Sequence, residues 1–178
     1  MEQREFATPK SSSLSKASVH KLAESVASQL GYKPGGDLNE VVAKLGGKIT
    51  IKDFWNSSLT DSGAIVIQDS GEFEIFVSAD TSIERDRFTI THEMGHYILH
   101  FMWPRKKGVR VGPMVATRYG TGRPEWEANW FAAAFLMPEL EFSTKYAEFG
   151  GDINSLADYF GVSQAAAKVR AEGLALIG

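Results

Sequence analysis

The chain has 178 residues, 43% hydrophobic and 23% charged, which suits one globular domain with a full core. Its formal net charge of −3 argues against a duplex-binding surface, which concentrates positive charge, so direct contact with nucleic acid is not expected. With no cysteine there are no disulfides and no thiolate ligands, so a metal would have to use imidazole and carboxylate. The first 16 residues include Ser11-Ser12-Ser13 and no apolar run of signal-peptide length, and read as a disordered leader. Nowhere do 18 apolar residues follow one another, so no membrane partner is expected and a cytoplasmic, monomeric protein is the expectation.

From Ser18, read as an N-cap, Val19, Leu22, Val26 and Leu30 recur at helical spacing until Gly31 breaks the pattern. His20 reads as a surface residue of that helix. Asp37 and Glu40 form a capping box for a short helix carrying Leu38, Val41, Val42 and Leu45. Period-two patterns then predict three strands around Ile49–Ile51, Ala64–Ile67 and Phe73–Val77, and Asp69-Ser70-Gly71 predicts a hairpin between the last two. The expected fold is therefore α+β: N-terminal helices, a small, mostly antiparallel sheet, then a metal helix, a second ligand helix and a helical tail.

The metal helix starts near Ser82 in Thr81-Ser82-Ile83-Glu84, a second capping box, and Pro104 predicts its end near Phe101. It contains His92-Glu93-Met94-Gly95-His96, an H-E-x-x-H pattern. Residues four apart on a helix are rotated by about 40°, so His92 and His96 share a face and can hold one ion between them. Glu93 lies beside the open coordination position, where a carboxylate can take a proton from water. Apolar residues cover most of the helix, and buried histidines need partners, which a metal supplies to both. His100 is too close to His96 to match the third histidine of metzincins, and reads instead as a helix C-terminal residue favoured by the dipole.

Residues 104–124 are glycine-rich and without period, and read as a long loop beside the site. Tyr119, Tyr97 and His100 are the candidates to steady an oxyanion. Residues Glu125–Met137 form a strongly apolar helix ended by Pro138, on which Glu125 and Asn129 share a face. Glu125 is the expected third ligand, with Asn129 orienting another ligand and Glu127 the fallback.

HEMGHYILH followed by EWEANWFAAAFLMP resembles the ImmA/IrrE family of zinc-dependent, gluzincin-like metallopeptidases, over roughly residues 18–140, and Arg85-Asp86-Arg87-Phe88-Thr89 fits the pattern upstream. The resemblance implies a zincin-like minimal metallopeptidase fold. It also implies His92, His96 and Glu125 as ligands of one Zn2+, with Mn2+ as a substitute, and Glu93 as the base. Members cleave helix-turn-helix repressors of mobile elements or of a stress response, which implies such a repressor as protein partner. The chain divides on this reading into a leader (1–16), a metallopeptidase domain (17–140) and a helical extension (141–178).

In the extension, Leu156-Ala157-x-x-Phe160-Gly161-Val162-Ser163-x-x-Ala166 is spaced like a helix-turn-helix. An alternative function is therefore a DNA-binding regulator with a structural metal. Against it, Lys168 and Arg170 are opposed by Asp152, Asp158 and Glu172, so two packing helices are the expected outcome.

Overall fold

The computed structural model describes residues 5–52, 64–117 and 120–177. Helix α1 (Lys16–Gln29) is capped by Ser15, three residues before the expected Ser18, whose own N–H donates to the Ser15 hydroxyl. Gly31 follows its end at φ +69°, where only a residue without Cβ sits unstrained. Asp37 caps α2 (Leu38–Lys44) by accepting from Asn39 N at 2.9 Å.

The three expected strands are β1 (Gly47–Lys52), β2 (Ala64–Ile67) and β3 (Phe73–Ser78). A short fourth, β4 (Met114–Ala116), comes from the glycine-rich stretch, where three residues are too few to show a period. The sheet order is β1-β3-β2-β4. The β2–β3 hairpin and the β2–β4 pair are antiparallel, and β1 runs parallel to β3 in register Ile49↔Ile75.

Ser82 caps α3 (Ile83–His96) through Arg85 N at 3.2 Å. The helical path does not stop near Phe101 as expected: it continues as a π-turn over Tyr97–Met102 into α4 (Trp103–Lys106). Pro104 falls in the first turn of α4, and a missing N–H costs little at a helix start. The rest of the fold is α5 (Arg123–Leu136), α6 (Glu139–Glu148), α7 (Ile153–Phe160) and α8 (Gln164–Gly173).

Helix α3 contacts β3 and β2 on one side and α5 on another, and α5 in turn packs on α1. One apolar cluster runs through all of these, and the tail contributes Phe142, Leu156, Phe160 and Ala171 to it. Arg87 ties α3 to both ends of the chain, donating to Tyr32 Oη at 2.6 Å, to Gly36 O at 2.8 Å and to Gly161 O at 3.2 Å. Residues 5–15, read from sequence as an unordered leader, are seated in the described structure: Ala7 N donates to Pro113 O, and Ser11 and Ser12 bond Glu127. Among the described residues no helix is long and apolar enough to cross a membrane.

Candidate metal centre

Two helices must approach closely for side chains on both to meet. Gly95 and Ala128 allow this: a Cβ on Gly95 would lie 3.1 Å from Ala128 Cα and 3.1 Å from Phe131 Cβ, so α3 and α5 touch backbone to side chain with no room between. The contact faces His92 and His96 toward Glu125. A nitrogen or oxygen from each of the three lies within 4.8 Å of the others. Glu125 Oε2 is 2.9 Å from His92 Nε2, and Oε1 is 3.1 Å from His96 Nε2. Gly120 leaves room for the carboxylate, since a Cβ there would collide with it.

The hydrogen bonds behind the imidazoles determine what they present in front. Glu127 is fully buried and accepts from Ser11 Oγ, Ser12 N, His100 Nε2 and Arg123 Nε. Burial pushes its carboxyl up, but these donors prevail and hold it at about 2, so it is an anion. Burial, with His96 close by, lowers His100 to about 4 and keeps it neutral. A neutral His100 that donates from Nε2 to Glu127 at 3.1 Å has its lone pair on Nδ1. Nδ1 therefore accepts from His96 Nδ1, 3.0 Å away. His96, whose protonation burial also disfavours, is left with a bare lone pair on Nε2. That atom is buried and makes no oriented hydrogen bond, although Glu125 lies near it.

His92 follows the same logic. Its Nδ1 donates to Asn129 Oδ1 at 2.7 Å, so its Nε2 lone pair points at Glu125. Three electron-pair donors thus converge with no proton shared among them. Such a set is repulsive alone and attractive around a divalent cation, and nitrogen–nitrogen–oxygen is a set that zinc accepts. The residues fit a metal ion.

Glu93 sits beside this cluster, 2% exposed, with Oε2 lacking any partner. Burial, then the charge of Glu125, raises its carboxyl well above the usual range. A cleft of about 330 Å3 opens onto Glu93, His92, Glu125 and Asn129, with Val77, Arg85 and Phe88 among its walls.

Several expectations are corrected by this geometry. His100 is not at a helix C-terminus but inside the π-turn, a buried group behind His96, 2% exposed, and it does not line the cleft. Glu127 does not reach the donor cluster, because its hydrogen bonds turn it to the far side of His100. Tyr97 packs on the Phe73 ring with its hydroxyl 3.4 Å from Leu45 O, away from the cleft. Tyr119 lies outside the described residues. The arm from Ser11 through Glu127 and His100 to His96 was not read from the sequence. The spacing of His96, His100 and Glu127 was visible, but the serines are over a hundred residues away along the chain.

The sequence model named Peptidase_M78, described as the IrrE N-terminal-like domain, matches residues 51–172. No curated protein matches the chain. A solved Mycobacterium tuberculosis structure described as a transcriptional regulator is similar in fold, with a TM-score of 0.56 at 20% identity. The match covers 85% of this chain and 45% of that one, so the chain spans less than half the length of that regulator.

Proposed function

Because the chain belongs to the Peptidase_M78 family of IrrE N-terminal-like domains, a peptidase family, we propose that it is a metal-dependent endopeptidase making limited cuts in a protein partner. The observation that carries this reading is the convergence of His92, His96 and Glu125, with buried, unpartnered Glu93 beside them. His92, His96 and Glu125 would hold one divalent ion, Zn2+ first and Mn2+ as a substitute. When bound, such an ion polarises a scissile carbonyl and makes a water more acidic. Glu93 takes the proton of the attacking water and returns it to the leaving amine. Its burial raises its proton affinity, which suits a group that must hold a proton between two steps. Asn129 and the His100–Glu127 arm keep the two imidazoles in the tautomer with Nε2 free.

The proposed partner is a helix-turn-helix repressor, met in the cytoplasm by a monomer. The choice of a repressor rests on the family resemblance, and a small single domain with a long loop beside the site suits limited cutting of one partner better than general digestion. Residues 17–140 would form the peptidase domain, with 141–178 as a packing extension.

The alternative, a DNA-binding regulator with a structural metal, has the α7–Gly161–α8 turn in its favour. Yet Arg170 on α8 faces inward, 5% exposed, donating to Met137 O at 3.0 Å, and so is withdrawn from any phosphate.

The deciding experiment incubates the protein with the helix-turn-helix protein encoded beside it, with and without chelator, and reads fragments by mass spectrometry. One defined cut, lost with chelator and with Glu93→Gln, is expected. An intact repressor beside rapid degradation of unfolded proteins would indicate a general peptidase. Nanomolar, salt-sensitive operator binding without cleavage would favour the regulator.

A further inference from the structure

A second cavity, of about 390 Å3, lies between the N-terminal segment and the stretch from the π-turn to β4, and shares no lining residue with the cleft. Its size falls in the range of small-molecule sites. Trp103, Val111 and Met114 supply an apolar wall. Lys10, Lys107 and Arg110 supply charge, and no acidic residue lines it among the described residues. Among the described residues no carboxylate forms an ion pair with these three cations, whereas Arg105 and Arg123 nearby both have one. In a chain of net charge −3, three cations around one concavity without an acidic lining residue favour an anion there.

The polar detail agrees. Lys107 Nζ stands 4.6 Å over the Trp103 ring, a contact that holds its charge beside the apolar wall. Ser12 Oγ, also in the wall, accepts from Leu14 N, and its own proton goes to the Glu127 carboxylate. Ser11, Ser12 and His100 line the same cavity and belong to the arm that ends at Glu127, so an occupant would touch residues bonded to that carboxylate.

We propose that this cavity is a binding site for an amphipathic anion: a phosphate, sulfonate or carboxylate head met by Lys10, Lys107 and Arg110, with a flat apolar body against Trp103 and Met114. The site does not depend on peptidase activity. The test uses phenyl phosphate as probe, followed by NMR at the Trp103 indole and the Met114 methyl. Saturable shifts at both are expected, weakening as salt rises. Phenyltrimethylammonium, of the same shape and opposite charge, should leave both unmoved. In the double variant Lys107→Glu, Arg110→Glu, affinity should fall by at least about tenfold through reversal of the local potential. All substituted positions are exposed, and an unchanged amide spectrum elsewhere verifies the fold. Equal shifts with the cationic probe, an unchanged affinity in the double variant, or shifts only at residues outside the cavity would each overturn the proposal. Inorganic phosphate binding as tightly as phenyl phosphate would overturn its apolar half.

Discussion

His92 donates from Nδ1 to Asn129 Oδ1 at 2.7 Å, one turn beyond Glu125 on the same face of α5. One helix thus carries both a candidate ligand and the group that orients another. Asn129→Ala would free His92 to turn and to change tautomer. Its metal affinity should fall by about 10- to 100-fold while the fold remains, as read by competition with a chelator. Unchanged affinity would mean that Asn129 does not orient the imidazole.

Glu125 and Glu127 should separate cleanly. Glu125→Ala removes an oxygen from the donor cluster and should abolish stoichiometric metal at unchanged melting temperature in chelator. Glu127→Ala leaves Ser11, Ser12 N, His100 and Arg123 without their acceptor, which should cost about 1–3 kcal/mol of stability by denaturant unfolding. A variant pair with the two phenotypes exchanged would refute this assignment.

His92→Ala should lose bound metal, whereas Glu93→Gln should keep it and lose hydrolysis, because an amide cannot act as a base. Elemental analysis alongside the cleavage assay distinguishes them. Equal metal content in wild type and His92→Ala would remove the basis for the metal site.

Gly95→Ala adds a methyl group 3.1 Å from both Ala128 Cα and Phe131 Cβ. Overpacking of this kind costs about 1–3 kcal/mol, and here it also pushes α5, and with it Glu125, away from α3. Lower stability together with weaker metal binding is the expected pair of results; a loss of stability alone would show that the helices adjust without moving the carboxylate.

His20, expected at the surface, is half-buried, and burial, with Arg170 and Lys16 nearby, lowers its pKa from 6.5 to about 4. The folded state therefore favours the neutral ring, and the unfolded chain binds a proton first as pH falls. Its contribution to stability is complete above pH 6.5 and is lost between 6.5 and about 4. His20→Gln should make the stability curve shallower in that window; parallel curves for variant and wild type would exclude the effect.

What could be read along the chain were the features with a local physical cause. Helical rotation puts His92 and His96 on one face, capping chemistry starts α2 and α3 at Asp37 and Ser82, and alternation marks β1 to β3. Glu125 and Asn129 were legible for the same reason, since both sit four apart on one helix. The environment of His100 was not legible, because it depends on Ser11 and Ser12 reaching Glu127 across 116 and 115 positions of chain. The passage through Pro104 was not either, since a π-turn has no sequence period of its own. Charge tells the same story: Arg170 counts as basic in the sequence, but folding turns it inward to the Met137 carbonyl just beyond α5, a partner 33 positions away along the chain.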